Sequence, residues 1–350
     1  MSKVRIAVIG TGAFGQRHLS YLQREPLCEV VAIADPMPAA AALATAQGYR
    51  YFSDYRAMLD AVKPEGAIIA SPNALHAPMG LACAERGIHI LVEKPIAETL
   101  AAAHSLAAAA EDAGVALLVG HHRRYNPVIE KAREIVRGGG IGRLTTVVAL
   151  WLIRKPDNYF DVAWRREPGG GPVLINLIHD IDDLRFICGE IASVQAITSS
   201  VLREFAVEDT AAIALRFVDG ALGTVTLSDT VPAPWSWEMT SGEAAQYPQR
   251  PENCYLFSGT EASLTVPKLE LWRYDGEKSW TQPLVKQTLK VPNEDPLTRQ
   301  LRHFCRVIRR EEAPRITGAD AARTLAATLA VHDAARSGNA VALAASVETH

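Results

Sequence analysis

Residues 3–35 constrain this chain more than any other stretch. Val4, Ile6, Val8 and Ile9 form an apolar run too short for a helix that would stand alone. It stops at Gly10-Thr11-Gly12-Ala13-Phe14-Gly15. A helical pattern follows over residues 16–23, and a second apolar run, residues 30–34, ends at Asp35. The order is strand, glycine-rich turn, helix, strand, acid. Gly10 allows the tight turn, Gly12 admits a pyrophosphate where a Cβ would collide, and Gly15 lets helix and strand pack closely. The helix N-terminus, beginning near Ala13 and Phe14, adds free N–H groups and a positive dipole end. This pattern predicts a dinucleotide site. Asp35, about 20 residues beyond the last glycine, is expected to accept hydrogen bonds from the adenosine ribose. Its carboxylate would repel a 2′-phosphate, and Pro36 stands where an NADP site would place Arg, so NAD is the expected cofactor. The alternative for Asp35 is an acid that caps the next turn.

The 350 residues suggest two domains. A hydrophobic share of 48% is ample for buried cores. The net charge of −3 implies no broad basic field for nucleic acid or anionic lipid. Cys28, Cys83, Cys188, Cys254 and Cys305 are scattered without a C-x-x-C pair and read as reduced thiols of a cytosolic protein. The first strand begins so early that no signal peptide is expected. No apolar run is long enough to cross a bilayer.

After Asp35 the alternation continues, with helices expected over residues 39–47, 55–62, 76–86 and 99–112. Strands are expected over 51–52, 66–70, 88–93 and 115–119. Repeated βα units with short apolar strands mean a doubly wound parallel sheet. Ligands bind beyond the C-terminal strand ends of such sheets, so the polar residues there are informative. Near residue 120 the pattern changes. A helix over 127–137 and a strand over 145–153 precede a helix over 173–188. Strand-like runs then follow, with turns at Asp219-Gly220 and Asp275-Gly276. Two helices, 296–310 and 319–336, close the chain. The expected architecture is a Rossmann domain, residues 1–121, followed by an α+β domain, residues 122–350, built on a large, mostly antiparallel sheet. The C-terminal helix is free to return to the first domain.

Several residues carry chemistry. Lys94, in Glu93-Lys94-Pro95, ends the fifth strand, where its N–H donors could hold a substrate hydroxyl and stabilise an alkoxide. A solvated surface lysine is the alternative. Asn176, His179, Asp180 and Asp183 fall within about one third of a helix circumference. Such a stripe is either a wet face or the wall of a cleft. His179 is suited to acid–base work there, although a structural histidine fits the pattern too. His121-His122, adjacent on a strand, would point to opposite faces and could not share one metal ion. No cluster has zinc spacing, and no metal is expected.

These residues together resemble the Gfo/Idh/MocA oxidoreductase family. The resemblance covers nearly the whole chain. It rests on AVIGTGAFGQRH at the start, ASPNALHAPM at 70–79, VEKP at 92–95, GHHRRYNP at 120–127, GGGPVLINLIHDIDDLRFICG at 169–189 and GTEASLTVP at 259–267. It implies that Lys94 binds the reacting hydroxyl and His179 accepts its proton. Ser71, Pro72, Asn73, His76 and Glu93 would line the cofactor groove, with Arg123 reaching the nicotinamide end. Tyr159, Trp164, Arg165 and Asn176 would join Lys94 and His179 on the substrate side. One departure stands out: Ile175 occupies the position where many members carry Asp, and the nearest polar residue is Asn176.

The expectation is therefore an NAD-dependent oxidoreductase acting on a secondary alcohol of a sugar, cyclitol or related polyol. An NAD-retaining epimerase or glycosidase that uses transient oxidation is an alternative, as is a non-catalytic NAD-binding regulator. A second-half sheet with helices on one face needs cover on the other, so a homodimer or homotetramer is expected. The long stretch 231–253, rich in Pro and Trp, would either cover a site or form a packed crossover.

Overall fold

The computed structural model describes residues 2–344. The chain forms two compact units. One contains the residues up to His122 together with Asp295–Leu325; the other contains Arg123–Glu294 and the residues from Ala326.

The first unit follows the expected alternation: β1 (Val4–Ile9), α1 (Ala13–Leu22), β2 (Cys28–Ala34), α2 (Pro38–Gln47), β3 (Tyr51–Phe52), α3 (Tyr55–Val62), β4 (Gly66–Ile69), α4 (His76–Ala84), β5 (His89–Val92), α5 (Leu100–Asp112) and β6 (Leu117–Val119). The six strands are all parallel, in the order β3-β2-β1-β4-β5-β6. The direction of winding reverses beside β1, so the loops after β1 and β4 open the crevice where such folds take ligands. The inner strands β1, β4 and β5, with β6, are buried on both faces almost throughout, which explains why they read as apolar runs. Helices start where the chain supplies caps. The Asp54 side chain accepts from the Ala57 N–H, and the Thr99 side chain accepts from the Ala102 N–H. β6 stops at Val119, so His121 and His122 lie beyond it, and alternation along a strand does not describe them.

The second unit contains α6 (Pro127–Arg137), β7 (Leu144–Leu152), α7 (Ile178–Cys188), β8 (Ile191–Ser199), β9 (Thr210–Phe217), β10 (Leu222–Ser228), α8 (Trp237–Thr240), β11 (Tyr255–Gly259), β12 (Ala262–Val266), β13 (Glu270–Tyr274) and β14 (Leu284–Thr288). Then α9 (Pro296–Ile308) belongs to the first unit. The helix α10 (Gly318–Ser337) is assigned to the first unit through Leu325 and to the second from Ala326, and β15 (Val341–Ala342) completes the second. The nine strands run β14-β13-β12-β11-β7-β10-β9-β8-β15, antiparallel except for the β7–β10 pair. This is the mostly antiparallel sheet that the sequence predicts. One face of it joins α6 and α7 in a continuous apolar core.

Two local features differ from expectation, and a third is one that the sequence leaves open. The helix expected from residue 173 begins as a π-helical turn, Val173–Leu177, and becomes α-helical only at Ile178. Asn176 lies in that turn, so a spacing of 100° per residue does not relate it to His179. Gly276 has φ +120°, but residues 275–283 separate β13 from β14, a longer connection than a two-residue hairpin. The stretch 231–253 is partly a packed crossover. Trp237 is buried and stacked on Tyr255, whereas Trp235 and Arg250 are exposed.

The core of the first unit includes a helix distant in sequence. Leu301, Phe304 and Cys305 of α9 pack with Val4, Ile6, Ile68 and Leu91. Gly66 makes room for this contact, since a Cβ there would lie 2.6 Å from the Ile308 Cδ1 and 3.1 Å from the Phe304 ring. Phe304→Ala should therefore lower unfolding stability by about 3–5 kcal/mol. Hydrogen exchange at the β1 and β4 amides measures it, and unchanged protection there would contradict the packing argument.

Candidate functional site

The dinucleotide loop is dictated by contacts of three kinds. Gly10 has φ +90°, and a Cβ there would meet the Ala70 carbonyl oxygen at 2.5 Å. A Cβ on Gly15 would lie 2.0 Å from the Gly10 carbonyl oxygen, so α1 can approach β1 only with glycine there. Gly12 is different: a Cβ there would meet no protein atom within 4 Å. The space beside it is open, at the N-terminus of a helix that no side chain caps. Ala13 and Phe14 open that helix. Free N–H groups and an open approach at one helix end suit a pyrophosphate.

Asp35 immediately follows β2. Its Oδ2 accepts from the Thr11 N–H at 2.7 Å and from the Thr11 hydroxyl at 3.0 Å, and its Oδ1 accepts from the Met37 N–H at 2.8 Å. Thr11 thereby fixes the acid against the glycine loop. It is a positioning residue for Asp35 that the glycine pattern alone does not single out. Each carboxylate oxygen has two lone pairs, so Oδ1 keeps capacity for a ribose hydroxyl.

The loops after β4 and β5 are tied together. His76 lies within 2.9 Å of the Ser71 carbonyl oxygen through Nε2 and within 2.7 Å of the Pro95 carbonyl oxygen through Nδ1. Burial holds the imidazole below its ordinary pKa. A neutral ring can donate to only one of these two carbonyls. The clamp sets Ser71, Pro72 and Asn73 opposite the Glu93-Lys94-Pro95 turn, and the Ser71 hydroxyl is buried without a protein partner. Glu93 does not face open space. Its Oε1 lies 2.7 Å from the His18 Nε2, and its Oε2 accepts from the Lys94 N–H at 3.3 Å. Burial would raise its carboxyl, but the hydrogen bond and charge of His18, with Lys94 and His122, hold it down at about 2. Glu93 is thus an anion that braces the backbone of Lys94, and its partner His18 is a second residue missed in the sequence. The Lys94 ammonium stands 5.7 Å from the centroid of the Phe14 ring, beside the glycine loop.

In the second unit, two consecutive arginines grip α7. Arg124 forms a two-pronged pair with Asp182, both bonds 2.7 Å. Arg123 is buried. Its guanidinium reaches Asp183 at 3.4 Å, Asp180 at 3.5 Å, the Tyr255 hydroxyl at 3.4 Å and Glu238 at 3.0 Å, and it lies over the Trp237 ring. The Tyr255 hydroxyl bonds to Asp180 as well, and Glu238 accepts from the Trp151 indole at 3.0 Å. His179, also buried, precedes this cluster on α7. The polar stripe on α7 is therefore a buried ionic network rather than a wet face. The Asn176 Oδ1 is buried without a protein partner. Tyr159 is half-buried beneath Arg165, whose guanidinium lies 4.0 Å from the ring centroid, and Trp164 is exposed beside it. Lys155 lies over the same Tyr159 ring, and burial pulls its ammonium down to about 8.

The profile of an oxidoreductase family with an NAD-binding Rossmann fold matches residues 4–121. The C-terminal domain profile of the same family matches residues 129–265. The rhizopine catabolism protein MocA of Rhizobium meliloti is 30% identical over 237 residues, which cover 66% of this chain and 73% of that protein. The chain belongs to the Gfo/Idh/MocA oxidoreductase family. The levoglucosan dehydrogenase of Pseudarthrobacter phenanthrenivorans is 29% identical over 248 residues, 66% of this chain and 64% of that relative's length. The solved structure of the WlbA dehydrogenase from Bordetella pertussis, with NADH and UDP-GlcNAcA, has a TM-score of 0.80 at 24% identity, covering 99% of this chain and 100% of that one. That likeness establishes a shared fold. As a family member, the protein is an oxidoreductase with an NAD(P)-binding Rossmann domain. Among the described residues, no helix is long and apolar enough to cross a membrane.

Within this family fold, the residue whose setting differs most from expectation is Arg123. Its guanidinium, expected at the nicotinamide end, is enclosed by carboxylates of its own unit. One guanidinium faces three carboxyl groups, so charge balance favours a retained proton. Burial pushes Asp180 up to about 6 against the pull of Arg123, and burial also raises Asp183 well above its ordinary value. A carboxyl raised in the folded state binds more protons there than in the unfolded chain. Its contribution is fully present below about pH 4 and is lost as pH rises through about 6. Asp180→Asn should remove roughly 2 kcal/mol of this pH dependence in the second unit between pH 4 and 7. Urea unfolding at both pH values measures it; a slope equal to that of the parent protein would refute the assignment.

Proposed function

We propose that the protein is an NAD-dependent dehydrogenase acting on a secondary alcohol of a sugar, cyclitol or related polyol. The observation that carries this reading is Lys94, whose ammonium stands over Phe14 at the mouth of the glycine-loop cradle. A cation at that point can hold a substrate hydroxyl and stabilise the alkoxide that develops on it. The relatives' dehydrogenase activity on levoglucosan supports a sugar-like substrate.

The residues around the cradle fit a dinucleotide. Gly12 leaves the space open, the uncapped end of α1 offers N–H donors, and Asp35 retains a lone pair for the ribose. The carboxylate of Asp35 opposes a 2′-phosphate, which favours NAD over NADP. When bound, NAD supplies the hydride acceptor. The chain itself must hold the hydroxyl and take its proton. Lys94 does the first, with its backbone braced by the Glu93–His18 pair and the adjoining Pro95 carbonyl engaged by His76. His179 does the second, on a helix whose rotation is fixed by Arg123 and Arg124. Asn176 carries an unsatisfied amide oxygen that can accept a substrate hydroxyl. Ile175 supplies no carboxylate, so the proton transfer rests on His179.

Lys94→Met and His179→Ala should each reduce kcat by about 10²–10⁴ while NAD binding, measured by fluorescence titration, stays close to that of the parent. NADH appearing at 340 nm in a polyol and sugar screen is the assay, and NADP should support under a tenth of the NAD rate. Near-normal turnover in His179→Ala would remove that histidine from the mechanism.

The outward face of the nine-stranded sheet supports a homo-oligomer. Leu256 lies opposite Val148, which lies opposite Thr224, and Ala214 continues the row. All four are exposed and uncharged, and Ile197 beyond them is 76% exposed. A face of this kind, continuous across four strands, calls for cover. Light scattering at micromolar concentration should give a dimer or tetramer mass, and Val148→Lys should lower it towards the monomer. A monomer mass for the parent protein would refute the proposal.

A further inference from the structure

Lys155 and Arg165 are cations short of counter-charge. The Lys155 side chain is only 9% exposed, and its Nζ has no full-strength hydrogen-bond acceptor. The nearest acid oxygen, Asp229 Oδ2, is 3.5 Å away. Asp229 is already engaged, since its Oδ1 accepts from the Arg203 Nε at 2.7 Å. Glu208 is turned elsewhere, to the His332 Nε2 at 3.2 Å and the Val173 N–H at 2.8 Å. What lies around the ammonium is aromatic: the Tyr159 ring at 4.9 Å and the Trp151 ring at 5.5 Å. Arg165 lies over that same Tyr159 ring and donates to the Tyr159 carbonyl oxygen at 2.7 Å. Its Nε is buried without an acceptor, and among the described residues no carboxylate pairs with it.

An ammonium taken out of water with its donors unmet is costly, and ring faces return only part of that cost. With the partly exposed Arg165 lying over the same tyrosine, N–H donors and positive charge are left to be met by a ligand. A carboxylate does both, because its oxygens accept from guanidinium and ammonium donors and its charge balances theirs. We propose that Lys155 and Arg165, flanking Tyr159, form an anion-accepting subsite that selects a sugar or polyol bearing a carboxylate. This rests on the dehydrogenase reading, because it takes the Tyr159 side of the second unit as the place of the sugar. Trp151 adds a structural reason for the position of Lys155. Its indole is held by Glu238, which is held by Arg123, so the aromatic wall under the ammonium belongs to the buried network that fixes α7.

The test uses the full chain with saturating NAD and four probes: D-glucuronate and D-gluconate as acids, D-glucose and D-glucitol as their neutral counterparts. Calorimetry measures binding, and absorbance at 340 nm follows turnover in parallel. The acids should bind the parent protein at least about tenfold more tightly than the neutral compounds, the size of one charge-assisted hydrogen bond. Lys155→Met should remove that advantage and change neutral binding less than about twofold, Arg165→Leu should weaken acid binding more than neutral binding, and Lys155→Arg should restore part of the advantage. The parent's acid-to-neutral ratio needs no variant, so a misfolded substitution does not spoil the test. Equal affinity for acids and neutral compounds, no binding of either acid, or an equal loss for both classes in Lys155→Met would overturn the subsite. Acid binding without any NADH would sustain the subsite and sink the dehydrogenase reading. NADH from the neutral compounds without preference for the acids would do the reverse.

Discussion

The second unit depends on one guanidinium. Arg123 comes from the turn that follows the Rossmann strands in sequence. It meets Asp180 and Asp183 of α7, Glu238 of α8 and Tyr255 of β11. Four segments far apart in sequence are thereby fixed about one cation. Removing it would leave up to three acids in the interior, and an unpaired buried charge is among the most destabilising features a fold can carry. Arg124, by taking Asp182 with both of its prongs, fixes the rotation of the same helix. His179 lies between these fixed points and the π-helical turn before them. Its position is set by these neighbours.

The first unit solves a different problem, the approach of backbone to ligand. Here close contacts decide. Gly10 and Gly15 are demanded by neighbouring carbonyl oxygens, and only Gly12 faces open space. Two of the three glycines therefore build the loop, and one leaves room in it. Thr11, inserted between them, holds Asp35 with both its N–H and its hydroxyl. The loop, the acid and the lysine turn are linked through short polar contacts within a single sheet end, and that linkage makes the cradle a preorganised site rather than a flexible one.

This contrast explains what could be read from the sequence. The Rossmann half was legible because its demands are local: a strand, a glycine turn, a helix and an acid follow one another within 35 residues. The mixed sheet was legible from alternation, although the long connection after Tyr274 was not. The polar stripe of α7 was visible but its meaning was not. Spacing cannot distinguish a solvated face from a buried ion network when the balancing arginines lie 57 residues or more away in sequence. For the same reason Arg123, read as a groove residue, has its guanidinium enclosed by acids. The phase of Asn176 was lost because a π-helical turn leaves no mark in apolar periodicity. Glu93 was placed at the right strand end, but its pairing with His18 could not be read, since His18 sits 75 positions earlier.

Two buried carboxyl groups then give the two units opposite responses to acid. Glu93 is depressed to about 2 because the gains from His18 and its neighbouring cations exceed the loss of hydration. Its contribution is present above its ordinary value near 4 and is lost as pH falls towards 2. Asp180 is raised to about 6 because burial, together with the charge of Glu238, outweighs Arg123. Its contribution is present below about 4 and is lost as pH rises through 6. The charge balance is reversed: Glu93 is a lone acid beside Lys94 and His18, whereas several acids surround the one guanidinium of Arg123. Mild acid therefore relieves the network that holds the histidine helix before it reaches the pair that braces the lysine turn.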